Sequence, residues 1–243
     1  MNFNQQLVLN KYIFSLFGVE NIEELAKYIK DDTANENIDE EGVSKFHTLL
    51  SAHLKKDAKI TGADLLQYDS NIVKHTKKLK KKIKWKYFQY LTLLFTEIYL
   101  DKYFSDKGIF CNKLNIFLKE YNDKIKKENI EKEKKDWGIL IEDFEEENLN
   151  KIAFWNATGS GKTLLMHINI MQFENYNNKE VNQRILITPN AGLTKQHLEE
   201  FKSNDIGAEV FSESSSGRLF QDENIKILEI TKLKKRKGKI LLP

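Results

Sequence analysis

The segment Asn156-Ala157-Thr158-Gly159-Ser160-Gly161-Lys162-Thr163 constrains this 243-residue chain more than any other. Two glycines one residue apart let the backbone take conformations closed to residues with a β-carbon, and let a ligand approach the main chain closely. The apolar run Lys151–Trp155 stands before them and predicts a strand. Leu164, Leu165, Ile168 and Met171 follow at helical spacing and predict a helix over Thr163–Phe173. A turn of this kind between strand and helix aims successive N–H groups at one point, and the helix start adds partial positive charge there. Phosphate suits such a point. The Lys162 ammonium can reach the outer phosphates of a nucleoside triphosphate, and the Thr163 hydroxyl can ligate a magnesium ion that bridges them.

The expected cofactors are therefore ATP and Mg2+. The expected binding residues are Asn156, Ala157, Thr158, Gly159, Ser160, Gly161, Lys162 and Thr163, with Lys162 and Thr163 closest to the chemistry and Thr163 the metal ligand. The strict pattern has glycine six residues before the lysine. Asn156 stands there instead, so the match is to the shorter core Ala157–Thr163. The plainer alternative is a Gly/Ser turn ahead of an amphipathic helix. The coincidence of the string with a preceding strand and a following helix weighs against it.

Before this segment the chain reads as helix after helix. Its two prolines, Pro189 and Pro243, leave everything earlier free of proline breaks. Leu7, Leu9, Ile13, Phe14, Leu16 and Phe17 crowd a segment that stops at Gly18. Asn21 with Glu24, and Thr61 with Asp64, are helix-start pairs three residues apart. Val43–Leu54 and the run through Leu65, Leu66, Ile72 and Val73 predict further helices. No internal repeat of fixed period is apparent. Glu128–Asn148 is a charged connector that includes Glu131–Asp136 and Glu145-Glu146-Glu147, and the boundary between two domains is expected within it, near residue 145. Beyond the glycine segment the apolar runs Arg184–Thr188, Ala208–Phe211 and Ile225–Thr231 predict strands and Gly192–Phe201 a helix. Strands alternating with helices imply a parallel sheet.

Composition excludes several classes. The formal charge of +3 is too small for a polycation, so contact with nucleic acid would have to come from local patches. Arginine is found only at Arg184, Arg218 and Arg236, and the Lys, Asn and Ile usage is that of an AT-rich coding sequence. A single cysteine, Cys111, rules out an internal disulfide and a thiolate zinc cluster. Met1–Gln6 lacks the basic start and apolar run of a signal peptide. The most apolar stretch, Tyr87–Phe104, carries Gln89, Glu97, Asp101 and Lys102 and reads as a buried helix of a folded domain, not a membrane span. The expectation is a cytoplasmic protein with no membrane contact.

The string Ala157–Thr163 resembles the first motif of superfamily 2 helicases and translocases. Two later segments extend the resemblance. Arg184-Ile185-Leu186-Ile187-Thr188-Pro189-Asn190 with Gly192–His197 looks like motif Ia, which touches the nucleic-acid backbone in that family. Ile227–Leu233 looks like the strand-and-Thr motif Ib. Within the superfamily, Phe154–Ile170 and Ile185–Phe201 are most similar to the DEAD/DEAH-type ATPase of type III restriction enzymes, the Res subunit. The resemblance covers about residues 150–233. It implies an α/β fold: an incomplete RecA-like P-loop domain with a parallel sheet at 146–243, preceded by an α-helical domain at 1–145. It implies action on DNA when complete, a modification subunit as possible partner, and nucleic-acid contacts at Thr188, Pro189, Asn190, Gln196 and Thr231.

The departures are as informative. No Asp-Glu pair follows a strand after Thr163; Asp222-Glu223 precedes one. A second RecA-like domain, its arginine finger and a nuclease motif are not visible. The expectation is the N-terminal part of a longer protein that binds ATP with little or no turnover. Glu229, in an apolar run, is a weak substitute for the missing carboxylate. The rival readings are a non-helicase P-loop ATPase and a truncated, non-hydrolysing module that docks a partner.

Other features have plain explanations. Lys74, Lys77, Lys78, Lys80, Lys81, Lys82, Lys84 and Lys86, followed by Trp85, Tyr87, Phe88 and Tyr90, could neutralise phosphates and stack on bases. The preferred reading is a solvated lysine face leading into a core helix, because the aromatics continue into Leu91, Leu93, Leu94, Phe95 and Ile98. Lys232–Lys239 reads as a solvated end, Glu145–Glu147 as solvated carboxylates, Ser212–Ser216 as a loop, and His167 as a packing or surface residue.

Overall fold

The structure, a computed structural model, describes residues 7–31, 38–130, 137–211 and 225–233. The protein is mixed α/β, with an all-parallel three-stranded sheet of the kind an incomplete RecA-like domain contains. Its contacts form two compact units. One comprises Met1–His75 and Lys84–Tyr176, the other Thr76–Ile83 and Asn177–Pro243. The contacts thus divide the chain differently from the change in sequence character near residue 145.

In the first unit, helices α1 (Val8–Leu16), α2 (Ile22–Ala26), α3 (Lys45–Ala52), α4 (Gly62–Lys78, as far as His75), α5 (Tyr87–Ser105), α6 (Lys107–Ile130) and α7 (Lys162–Tyr176) follow in order. The local start signals act as expected. The Asn21 side chain accepts from the Glu24 N–H at 2.9 Å. At the start of α4, Asp64 N–H donates to the Thr61 hydroxyl at 3.1 Å and Thr61 N–H donates to Asp64 at 2.8 Å. Gly18 follows α1 at φ +70. Helix α5 is apolar on all sides, which buries it: Tyr90, Leu91, Leu93, Leu94 and Ile98 are inaccessible, and α6 and α7 pack against it. No helix among the described residues is long and apolar enough to cross a membrane.

Two buried carboxylates tie these helices together. Asp69 of α4 accepts from Ser44 N–H at 2.8 Å, from the Ser44 hydroxyl, and from the Tyr90 hydroxyl at 2.6 Å. Glu97 of α5 accepts from Asn71 of α4 at 2.9 Å and from Tyr176 of α7 at 2.8 Å.

Glu131–Asp136 lie outside the described residues; the connector from Gly138 on is bound to α6. Asn115, Asn122 and Asn129, seven residues apart on α6, each exchange two hydrogen bonds with the backbone of Phe144, Ile141 and Gly138 respectively. Seven helical residues advance about 10.5 Å, and three extended residues about 10 Å. The two repeats therefore stay in step along an antiparallel strap. Cys111, one turn before Asn115, donates its thiol to the Phe144 carbonyl at 3.2 Å. This is a fixed-period feature that sequence reading does not find, and it turns an apparently free connector into part of the helical unit. A 3-10 turn at Glu146–Asn150 follows, its Leu149 carbonyl accepting from the buried Tyr99 hydroxyl.

The second unit holds β1 (Ile185–Thr188), α8 (Ala191–Ser203), β2 (Ala208–Val210), β3 (Ile225–Glu229) and the short α9 (Ile230–Leu233). The strand order is β1-β3-β2, all parallel, with Ile185 opposite Lys226 and Ala208 opposite Ile225. The central strand β3 is buried along Ile225–Leu228, as continuous burial of a central parallel strand requires. Lys226, the buried charge within it, pairs with Glu209 of β2.

Two strand expectations need correction. Lys151–Trp155 forms no strand among the described residues, and Ile152, Phe154 and Trp155 stand exposed, Trp155 at 83%. The run has strand-like side chains, but a strand also needs a ladder of backbone hydrogen bonds, and none is formed here among the described residues. The expected strand Ile225–Thr231 ends at Glu229, where the chain turns into α9.

Candidate phosphate-binding site

The glycine segment belongs to the first unit and opens α7 directly. Gly159 lies at φ +77 and Gly161 at φ +83, a region residues with a β-carbon rarely adopt. A β-carbon at Gly159 would meet open space, whereas one at Gly161 would lie 2.7 Å from the Gln89 amide nitrogen. Between them Ser160 N–H donates to the Ala157 carbonyl at 3.2 Å, closing the turn. Ser160 is buried, and its hydroxyl has no hydrogen-bond partner among the described residues.

The lysine folds over the loop. Lys162 Nζ donates to the Asn156 carbonyl at 3.0 Å and to the Ala157 carbonyl at 3.1 Å, and the side chain remains exposed. Its charge is thus held above the turn by the two residues that begin it. Thr163 sits half-buried on the first turn of α7. The N–H groups of Gly161, Lys162 and Thr163 donate to no carbonyl among the described residues, as the geometry of a helix start dictates. Leu165 is the first residue to reach back, to the Gly161 carbonyl at 3.1 Å. The set of donors fits a polyphosphate: a left-handed double-glycine turn, three available N–H groups, an ammonium and a hydroxyl. Asn156, in place of the pattern's glycine, contributes a backbone carbonyl to Lys162.

Helix α7 is secured against α5. Leu165 and Ile168 are buried, Gln172 donates to the Leu93 carbonyl at 3.0 Å, and Phe173 meets Phe104 edge-on at 5.5 Å. His167 is fully buried, so it packs within the unit and does not line an exposed site. Sequence reasoning missed Gln89, half-buried on the first turn of α5, whose side chain donates to the Ser160 carbonyl at 2.8 Å.

In the second unit the segments that resemble motifs Ia and Ib lie on β1 with α8 and on β3 with α9. Thr188 ends β1 opposite Glu229, which ends β3. Thr188 is buried and its hydroxyl meets that of Thr194 at 2.6 Å, so it braces the turn into α8. Pro189 and Asn190 are exposed, and Asn190 caps α8 by accepting from Leu193 N–H at 2.9 Å. Gln196 is exposed on α8 and donates to Glu200 at 3.0 Å. Thr231 is exposed, its hydroxyl donating to Glu229.

The lysines of 74–86 are all exposed, whereas Trp85 is buried at 7% and Tyr90 at 2%. These two rings belong to the core and are not available for stacking. Lys80 pairs with Asp205, just beyond α8, at 3.2 Å. Ser212–Ser216, Asp222-Glu223, Arg218 and most of Lys232–Lys239 lie outside the described residues.

A family model described as type III restriction enzyme, res subunit, matches residues 115–241. The match begins at the first asparagine of the α6 strap and runs through the glycine segment and the sheet. No curated protein and no solved structure matches the chain.

Proposed function

Because the chain belongs to the type III restriction enzyme res subunit family, one of helicase-like ATPases, we propose that it binds ATP with magnesium at Asn156–Thr163. The observation that carries this reading is the loop itself: two glycines at positive φ ahead of a helix whose first N–H groups have no carbonyl partner, with Lys162 held over the turn. The N–H groups of Gly161, Lys162 and Thr163 would hold phosphate oxygens. Lys162 would leave its two carbonyls for the β- and γ-phosphates, and Thr163 would ligate the magnesium. The metal supplies charge neutralisation across the phosphates when bound.

The same reading makes 146–243 a partial RecA-like ATP-binding domain and 1–145 a helical domain before it. It assigns action on duplex DNA, with contacts at Pro189, Asn190, Gln196 and Thr231 and bracing by Thr188. It also assigns a cytoplasmic setting and a modification subunit as partner. The support for the DNA part is that β1 and β3 end side by side, with Pro189 and Asn190 directly after β1 and Thr231 two residues after β3.

Isothermal titration with ATP and magnesium tests the core of the proposal. Wild type should bind. Lys162→Ala should not bind measurably, because the one ammonium aimed at the outer phosphates is gone while the backbone donors remain. Equal affinities would remove the basis for the assignment.

A further inference from the structure

We propose that Gln89 is a positioning residue for the phosphate loop: by holding the Ser160 carbonyl it turns the Gly161 N–H toward the bound phosphate. The inference rests on the nucleotide-binding reading of Asn156–Thr163 and adds a residue from a helix that neither motif nor family match includes.

Gln89 is the third residue of α5, and both ends of its amide are engaged. Oε1 accepts from Lys86 N–H at 2.9 Å and closes the first turn of the helix. Nε2 donates to the Ser160 carbonyl, 71 positions later, at 2.8 Å. The same nitrogen would lie 2.7 Å from a β-carbon on Gly161, so the amide rests directly on the second glycine.

The peptide between Ser160 and Gly161 is planar and trans, so its C=O and N–H point in opposite directions. Fixing the carbonyl on Gln89 therefore fixes the N–H on the other side. That N–H donates to no carbonyl among the described residues. Gly161 at φ +83 has no β-carbon to restrict its rotation, so without Gln89 the peptide could turn over at small cost. The support is rigid, because α5 is locked in the core by Tyr90, Leu91, Leu93 and Leu94.

Two substitutions separate the roles of the two amide ends. Gln89→Met is neutral, of similar length, and lacks the donor. Gln89→Glu keeps an acceptor for Lys86 N–H but gives Ser160 no hydrogen. Titration with ATP and magnesium should show affinity about tenfold weaker in Gln89→Met, the scale of one misdirected hydrogen bond. In amide spectra the Gly161 N–H resonance should move on nucleotide addition in wild type and move much less in Gln89→Met, a readout that loss of helix capping alone would not change. Should Gln89→Met fail to fold, Gln89→Glu carries the test at high salt, where its added charge is screened. Wild-type affinity and a wild-type Gly161 response in the variants, with binding lost in Lys162→Ala, would overturn the role of Gln89 and leave the loop assignment standing. No binding by the wild type would overturn both.

Discussion

Asn122 and Ile141 exchange two hydrogen bonds, the side-chain amide donating to the Ile141 carbonyl at 2.7 Å and accepting from its N–H at 3.1 Å. It is the middle one of three such exchanges, so the strap loses its continuity when it is removed. Asn122→Ala should lower stability by about 1–2 kcal/mol, the range for two half-exposed hydrogen bonds. Asn122→Asp should cost at least as much, since a carboxylate faces the Ile141 carbonyl without a donor. Urea unfolding gives the energy, and hydrogen exchange at the Ile141 amide gives the location. An unchanged midpoint together with unchanged exchange at Ile141 would contradict the strap.

What was readable beforehand was whatever is local. Asn21 with Glu24 and Thr61 with Asp64 announce helix starts because both partners lie within one turn. Helix α5 announces its burial by carrying apolar residues on every side, and the strands of the second unit by short apolar runs. Lys151–Trp155 misled for the same reason: its run is strand-like, but a strand exists only with a neighbour, and no local pattern reports one. The glycine segment was legible because its chemistry is written in side chains or their absence at fixed spacing. The α6 strap and Gln89 were not. In both, an amide side chain bonds a backbone group, and a backbone group has no residue type to recognise. The seven-residue spacing of Asn115, Asn122 and Asn129 is visible in retrospect, but nothing in it names Phe144, Ile141 and Gly138 as partners.

Glu97 gives stability a pH dependence. Burial pushes its carboxyl above the ordinary value of 4.5; hydrogen bonds from Asn71, Tyr176 and Gln172 pull it back, and the nearby Asp101 charge adds to the rise. Between 4.5 and the raised value the folded chain holds a proton that the unfolded chain has lost. Stability from this group therefore falls as pH rises through that window and stays lower above it. Glu97→Gln keeps an acceptor for Asn71 and Tyr176 and removes the charge. It should flatten the decline and be relatively more stable at pH 8 than at pH 4. Parallel declines in urea midpoints across that range for the two proteins would show that Glu97 is not the source.

ATP turnover by the 243-residue chain should be at background. Phosphoryl transfer relies on electrostatic stabilisation of the transferring group and on an oriented water. Lys162 and Thr163 can serve the first in part, but no Asp-Glu pair follows a strand after Thr163 to serve the second. Glu229, at the end of β3, is engaged by the Thr231 hydroxyl. Steady phosphate release that disappears in Lys162→Ala would contradict the expectation, and Glu229→Gln would then identify whether that carboxylate is used.

Binding to duplex DNA should be salt-sensitive and indifferent to sequence. Lysines reach phosphates as point charges and do not read base edges. Lys77, Lys78, Lys81 and Lys82 are exposed, belong to the unit that carries the Thr188–Asn190 edge, and make no ion pair among the described residues. Lys80, by contrast, is engaged with Asp205 and is left alone. Replacing the four with Gln should leave the fold intact, since no packing is lost with them. Each phosphate contact removed should reduce the slope of log affinity against log salt by about 0.9, so loss of all four contacts would flatten it by about 3 to 4. Fluorescence anisotropy of a labelled duplex across a salt series measures this directly. A slope identical to wild type would assign the lysines to solvent and leave Pro189, Asn190, Gln196 and Thr231 as the proposed contacts. A slope flattened without change at the sheet edge would place DNA on the lysine run, because counterion release counts the phosphates a surface neutralises and nothing else.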